Sequence, residues 1–144
     1  MKDLFTPLIQ GLCSIYKLDV RHVLAGKTIE IQGVRFFLRH HQEELSTLVL
    51  LYCDFGALPQ EHETALYRMM LQSNLQSFTG EGEAYSLTPD NHVVFVRSFS
   101  LEMITPALLS AHMALISMRA QNWLDEALAQ LGLAEPAVNG GVNG

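Results

Sequence analysis

Histidine is the residue type in this sequence best suited to metal binding or acid–base catalysis, and its spacing argues against both. Six histidines are present. His40 and His41 are adjacent in a predicted strand, so their side chains lie on opposite faces and cannot ligate one metal. His62 is followed by Glu63, but no second histidine follows at helical spacing, which excludes the HExxH zinc motif. The histidine pattern therefore predicts no metal site.

Phosphate-binding and nucleophilic motifs are equally lacking in the sequence. It contains no GxGxxG, no P-loop and no GxSxG elbow. The segment Gly80-Glu81-Gly82 resembles half of a phosphate loop, but the acidic side chains of Glu81 and Glu83 would repel a phosphate. The sequence thus predicts a protein that is not an enzyme and that needs no cofactor.

Charge and hydropathy exclude further classes of function. The 144 residues include 9 Lys and Arg against 15 Asp and Glu, a net charge of −6, which argues against nucleic acid and anionic membranes as partners. No apolar run approaches the ~18 residues that span a bilayer, and the segment after Met1 is a poor signal-peptide core. Cys13 and Cys53 form no CxxC pair and lie in apolar stretches, so we expect reduced, buried thiols in a cytoplasmic protein.

Three segments carry the start and stop signals of helices. Asp3 is placed to cap a first helix that runs to about position 17. Pro59 suits the start of a second helix over about 60–75. Thr105 and Pro106 predict the N-cap and first residue of a long third helix, which Gly132 ends. Its expected core stripe is Leu109, Met113, Ile116, Ala120, Trp123 and Ala127, broadened by Leu108, Leu115 and Leu124.

Five segments show the patterns of strands: 28–32, 34–41, 45–55, 83–87 and 92–99. The run 48–53 is apolar on both faces, which predicts a central strand covered on both sides. Residues 19–27 are predicted to be a connector, and 88–91 the turn of a hairpin. The order α-β-β-β-α-β-β-α predicts an α+β sandwich of one antiparallel sheet and three helices. We expect one domain over 1–132 and a flexible tail over 133–144.

The predicted elements carry more apolar residues than three helices and five strands are expected to bury. A surplus of flexible, polarisable methionine suits a surface that adapts to partners. We therefore expect a face for self-association, for protein binding, or for both. The candidates for this surplus are Phe37, Val49, Leu51, Met69, Met70, Met103, Met113 and Met118.

Several of these segments, in this order, resemble the class I chaperones of bacterial type III secretion, the Tir chaperone (CesT) family. An apolar strand enters Gly56-Ala57-Leu58-Pro59, similar to the family's strand–Gly–x–Leu–Pro junction. The next helix closes with Leu71-Gln72-Ser73-Asn74, like the family's leucine, two residues and Asn. Gly82, a hairpin over 87–96 and a last helix carrying Trp123 follow. The resemblance covers about 8–128.

The resemblance implies a homodimeric, ATP-independent chaperone in the bacterial cytoplasm. It would bind the N-terminal segment of one or more secreted effectors in extended form and keep it competent for export. An extended client can add main-chain hydrogen bonds at a strand edge while its apolar side chains enter grooves. Neither nucleic acid binding nor membrane insertion is implied.

The resemblance also assigns roles to elements of the chain. The helix over 60–75 and the following hairpin would build the dimer interface, with Leu66, Met69, Met70 and Val94 as its candidate residues. The first helix and the first three strands would form the client grooves. The candidate effector-binding residues are Phe5, Leu8, Leu12, Ile29, Val34, Phe36 and Leu38.

Two other hypotheses remain open at this stage. A dimeric adaptor of the same fold would bind a folded regulator or a component of the export apparatus, because fold does not fix function. A small-ligand pocket or an enzyme is suggested only by His40, His41 and His62, which lie near polar turns.

Overall fold

A computed structural model describes residues 3–77 and 82–133 of the chain. The predicted tail over 133–144 lies outside the described residues except for position 133, and so does most of the Gly-rich loop before β4. The elements, in chain order, are α1 (Phe5–Tyr16), α2 (Val20–Leu24), β1 (Ile29–Ile31), β2 (Val34–Gln42), β3 (Thr47–Ala57), α3 (Glu63–Ser77), β4 (Glu83–Leu87), β5 (His92–Ser100) and α4 (Pro106–Gln130). A single 3₁₀ turn, Gln60–His62, precedes α3.

The strands form one antiparallel sheet in the order β1-β2-β3-β5-β4, which confirms the predicted α+β class and the central place of β3. The short helix α2 is an addition to the three predicted helices, because it lies in the segment predicted to be a connector. Asp19 caps it by accepting a hydrogen bond from the Arg21 amide at 3.1 Å. Five residues are too few for a helical apolar period, so this cap was the one available signal.

The predicted caps are present at the starts of α1 and α4. Asp3 Oδ1 accepts hydrogen bonds from the amides of Phe5 at 3.0 Å and Thr6 at 3.1 Å. Thr105 Oγ1 accepts one from the Leu108 amide at 3.1 Å, and Pro106 occupies the first turn of α4. Both caps satisfy amides that have no partner within their helix.

The helices α1 and α4 pack directly against each other. A Cβ atom at Gly11 would overlap the ring of Pro106, so only glycine allows the two helices to approach this closely. One turn further along each helix, the hydroxyl groups of Tyr16 and Ser110 lie 2.8 Å apart in a hydrogen bond. These contacts fix α1 beside the start of α4.

The helices cover one face of the sheet. Alternate residues of β3 are buried on that face, and they are Val49, Leu51, Cys53 and Phe55. The other face of β3 is partly exposed, although its apolar run predicts cover on both sides. There Phe37 of β2 stacks on Tyr52 of β3 with ring centroids 4.3 Å apart. The sheet therefore keeps an apolar, partly open second face.

The core stripe of α4 is buried as predicted at Leu109, Met113, Ile116, Trp123 and Ala127. Leu108 and Leu115, however, are 50% and 61% exposed, so the buried stripe is narrower than predicted. Among the surplus residues, Val49, Leu51, Met70 and Met113 fill the core, whereas Met103 and Met118 are exposed.

Candidate protein-interaction surfaces

The candidate effector-binding residues lie together, but inside the hydrophobic core. None of the seven side chains is more than 7% exposed. All belong to the single cluster that joins the helices to the sheet, and they are Phe5, Leu8, Leu12, Ile29, Val34, Phe36 and Leu38. Their spacing identified the packed faces of α1, β1 and β2. A direct contact with a client stays a prediction, and in this structure their side chains support the surface from beneath.

The candidate dimer residues divide between core and surface. Leu66 is 0% and Met70 5% exposed, so both pack within the protomer. Met69 is partly buried against the core, and Val94 is 9% exposed on the open face of the sheet. The sequence reasoning did not select the two most exposed apolar residues of α3, Leu71 at 68% and Leu75 at 76%. Their spacing of four residues, which places them on one helical face, was the available signal.

The β4 edge of the sheet is closed at its middle by a side chain of α3. Asn74 Nδ2 donates a hydrogen bond to the Tyr85 carbonyl oxygen at 2.9 Å. The Tyr85 amide in turn donates to Asn74 Oδ1 at 2.7 Å. The amide of Asn74 thus takes both main-chain positions that an added strand would use at Tyr85. This accounts for the asparagine in the Leu71-Gln72-Ser73-Asn74 segment.

The β1 edge has a different construction. β1 contains three residues and pairs only with Val34, Arg35 and Phe36 of the nine-residue strand β2. Within residues 3–77 and 82–133, no strand pairs with the outer side of β1. Unpaired main-chain groups on a terminal strand are a template for an additional strand. The two edges of the sheet therefore differ in their capacity to accept a peptide.

A charged cluster marks one end of the open sheet face. The Asp54 carboxylate lies 3.1 Å from His92 Nδ1 and 3.8 Å from the Arg35 guanidinium. It also accepts a hydrogen bond from the Gly56 amide at 2.8 Å, next to the irregular pairing of β3 with β5. Since the carboxylate is engaged on all these sides, it stabilises the strand irregularity rather than offering a free acid or base.

A groove runs along α4 between that helix and the strands β4 and β5, and we call it the α4 groove. It consists of two neighbouring cavities of about 420 and 180 Å³. Arg119 and Glu126 line both cavities, so the two lie side by side. The larger cavity extends to His112, and the smaller reaches Met69 on α3.

The histidines singled out by the sequence have structural contacts. The His40 ring stacks on Phe5 at a centroid distance of 5.1 Å. His41 Nε2 lies 3.6 Å from Glu43, and His62 ends the 3₁₀ turn before α3. In the described part of the chain, no three His, Cys, Asp or Glu side chains are grouped so that they could hold a metal ion.

The two cysteines are free and buried, as the apolar stretches around them predict. Burial, with a smaller contribution from Asp54, raises the pKa of the Cys53 thiol to about 12. Burial also raises the pKa of Cys13. Because the thiolate is the reactive form, both groups are poor nucleophiles in the folded chain.

Comparison with known proteins places this architecture in a class. The fold resembles the Yersinia pestis type III secretion chaperone SycH, whose structure was determined in complex with a stable fragment of YscM2. The TM-score is 0.61 at 15% sequence identity, over 81% of this chain and 97% of that chain. No curated protein sequence matches the chain. The chain thus shares its fold with this chaperone.

The sequence itself supplies the family. A model of the Tir chaperone protein (CesT) family matches residues 27–124, from the start of the sheet into the last helix. The chain belongs to the Tir chaperone protein family, which confirms the resemblance noted in the sequence. No helix among the described residues combines the length and the apolar character needed to cross a membrane.

Proposed function

We propose that this protein is an ATP-independent chaperone that binds the N-terminal segment of one or more secreted effector proteins in the bacterial cytoplasm. The observation that carries the proposal is membership of the Tir chaperone family over residues 27–124. The client would remain unfolded in the bound segment and so stay competent for export. Family members act by binding, and we assign the chain no enzymatic step.

The β1 edge is the site at which an extended client segment would add to the sheet. Main-chain hydrogen bonds there give affinity without demanding one sequence, which suits a chaperone with varied clients. The buried candidate residues beneath it, such as Ile29 and Phe36, would anchor this edge in the hydrophobic core. A disordered client must bury ~1,000–3,000 Å² to offset ~2–5 kcal/mol of ordering free energy. The edge alone is too small for that area, so a second surface is required.

A homodimer would supply more surface, and α3 is the proposed contact. Leu71 and Leu75 lie on one exposed side of α3, beside the partly buried Met69. The double variant Leu71→Asp with Leu75→Asp should raise the dimer dissociation constant by at least about tenfold, since charges would replace a central apolar contact. Gln72→Asp with Gln76→Asp is the matched control on the same helix.

Light scattering across a range of protein concentrations measures the mass of the assembly and so tests for this dimer. The expected mass is twice the protomer mass of 16.1 kDa. A wild-type monomer at micromolar concentration would contradict the dimer, and equal dissociation constants for the two double variants would place its interface elsewhere. Met70→Asp is a poor test, because Met70 is a core residue and the variant would destabilise the protomer itself.

The client is best sought by purifying the tagged protein from its own bacterium and identifying what accompanies it. Recovery of a secreted protein, bound through its N-terminal segment and retained in the presence or absence of ATP, is the expected result. Recovery only of cytosolic regulators or parts of the export apparatus would instead favour the adaptor of the same fold. Recovery of neither, together with loss of function on changing His40, His41 and His62 to alanine, would favour a small-ligand site.

A further inference from the structure

We propose that the β1 edge accepts an extended client segment in one register, with a lysine or arginine of the client opposite Glu30 and an apolar residue on each side of it. This inference rests on the proposed function and states which client residues the edge selects. It is supported by the register of the β1–β2 hairpin, by the contact of His22 with Thr28 and by the carboxylate of Glu30.

The turn between β1 and β2 determines which main-chain groups of β1 face outward. It has two residues, both with positive φ (53° and 79°), as in a type I′ turn. The flanking residues Ile31 and Val34 of such a turn exchange main-chain hydrogen bonds. Because the bonding side alternates along a strand, Ile29 also faces β2, whereas Glu30 directs its N–H and C=O away from the sheet. In the described part of the chain, no strand pairs with these two groups of Glu30.

The edge offers only this one residue for pairing, because it is bounded on both sides. Two residues before Glu30, the Thr28 carbonyl oxygen lies 2.7 Å from His22 Nε2. A carbonyl oxygen can only accept, so His22 donates this hydrogen bond and occupies the acceptor. After Glu30, β1 ends at Ile31 and the chain enters the turn. An added antiparallel strand would therefore exchange its hydrogen bonds with Glu30, which fixes one register.

The side chain of Glu30 is a carboxylate without an ion pair in the described part of the chain. It is exposed, and Arg35 lies directly opposite it in the register. The Arg35 guanidinium, however, lies 3.8 Å from the Asp54 carboxylate on the other side of β2. Neither Arg35 nor the nearby Lys27 forms an ion pair with Glu30. Arg35 and Asp54 balance each other in formal charge, so the Glu30 carboxylate is free to pair with a client cation.

This carboxylate selects for a cationic client and against a second copy of the chain. Opposite charges directly across an antiparallel pair stabilise it, and like charges destabilise it. Two copies paired at their β1 edges in this register would bring one Glu30 opposite the other. The client residues next to the cation would point to the helix side, beside the buried Ile29 and the partly buried Ile31. An extended apolar–basic–apolar segment is therefore the ligand that fits.

The test uses the full-length protein and two fluorescein-labelled decapeptides. The first has a central lysine between two valines in a background of serine and threonine, and the second has glutamate in place of the lysine. Fluorescence anisotropy should show the lysine peptide binding at least about threefold more tightly, and raising the salt should reduce the difference. Equal affinities, or no binding of either peptide up to about 5 mM, would overturn the proposal.

Charge-swap variants locate the lysine of the peptide. Glu30→Lys should reverse the preference, so that the glutamate peptide binds more tightly, and Glu30→Gln should abolish it. Glu102→Lys makes the same charge change at an exposed position beyond the end of β5, and it should retain the wild-type preference. A preference that Glu30→Lys leaves unchanged, or that Glu102→Lys changes equally, would refute the register.

Hydrogen exchange of the protein's own amides reads the register directly. Saturating lysine peptide should slow exchange of the Glu30 amide, which faces away from the sheet. The Ile31 amide is already bonded within the hairpin, so its exchange should change much less. Slowed exchange only at amides outside β1 would contradict the proposal.

The same variants separate this inference from the proposed function. If a purified secreted client binds wild type and Glu30→Lys equally, the register is wrong while the chaperone function stands. If the lysine peptide binds at Glu30 and no secreted client exists, the site stands and the chaperone function fails. If Glu30→Gln strengthens self-association and neither peptide binds, the edge pairs with a second copy and the proposal is refuted.

Discussion

The amide of Asn74 provides a sharp test of how the β4 edge is closed. Asn74→Asp preserves size and keeps an acceptor for the Tyr85 amide, which donates at 2.7 Å. It removes the donor to the Tyr85 carbonyl oxygen and places a negatively charged oxygen 2.9 Å from it. One lost hydrogen bond and a partly buried carbonyl without its partner together cost about 1–3 kcal/mol. We expect the free energy of unfolding to fall by that amount at pH 7.

The matched control for this variant is Gln72→Glu, which makes the same amide-to-carboxylate change at an exposed position of the same helix. Urea unfolding of wild type and both variants at one protein concentration measures the difference. Hydrogen exchange of the β4 amides gives a local readout, and repulsion between the new carboxylate and the Tyr85 carbonyl oxygen should accelerate it only in Asn74→Asp. If the unfolding free energies of the two variants agree within about 0.5 kcal/mol, the closure of the edge does not depend on Asn74.

The pH provides a second check on the same variant. A carboxyl group at position 74 would be protonated more readily in the folded chain than in the unfolded one, because only its protonated form can donate to the Tyr85 carbonyl. Its folded-state pKa therefore lies above the unfolded value, and the missing stability returns as the pH falls. The difference in the free energy of unfolding between Asn74→Asp and Gln72→Glu should become smaller as the pH falls from 7 to 4. A difference that grows over this range would refute the hydrogen-bond reasoning.

Three further predictions follow from contacts in the core. Gly11→Ala should reduce the free energy of unfolding by roughly 1–3 kcal/mol, because its methyl group would overlap Pro106. The control Ser14→Ala, on the exposed side of α1, should leave the free energy of unfolding measured in urea nearly unchanged. Burial raises the pKa of the Cys53 thiol from 9.0 to about 12. The free energy of unfolding should therefore be full below pH 9 and fall as the pH rises from 9 towards 12. If the free energy of unfolding of Cys53→Ala falls as steeply with pH as that of wild type, this reasoning is contradicted. Burial, and to a smaller extent the charge of Arg97, lowers the pKa of His112 below its usual 6.5. The stability of the folded chain should therefore fall as the pH drops below 6.5. The melting temperature of His112→Asn should decrease less than that of wild type over the same pH range.

The sequence predicted the elements that have a clear hydrophobic pattern or a clear signal at their ends. The apolar run over 48–53 gave the central strand β3, and Thr105 with Pro106 gave the start of α4. The short helix α2 was not predicted because five residues contain little more than one helical turn. Leu108 and Leu115 were assigned to the core stripe of α4, but helical spacing alone does not tell how wide a stripe the sheet can cover.

The interaction sites were harder to predict, for a physical reason. Spacing selects apolar residues on the packed face of an element, and Phe36 and Leu66 are such residues. An exposed surface can carry the same residue types on the other face of an element, as it does at Leu71 and Leu75. Only the three-dimensional packing separates the two sets. The α4 groove could not be predicted from the sequence either, because Arg97 and Arg119 lie on different elements and come together only in the folded chain.

The unequal edges of the sheet limit how copies of this chain can polymerise. A sheet with two free edges can join a neighbour on each side and grow into a fibre without end. Here Asn74 occupies the middle of the β4 edge, so strand pairing between copies is confined to the β1 edge. An assembly that grows through strands would stop once two β1 edges had met. A chain with one such edge would thus not seed a fibre with its own sheet.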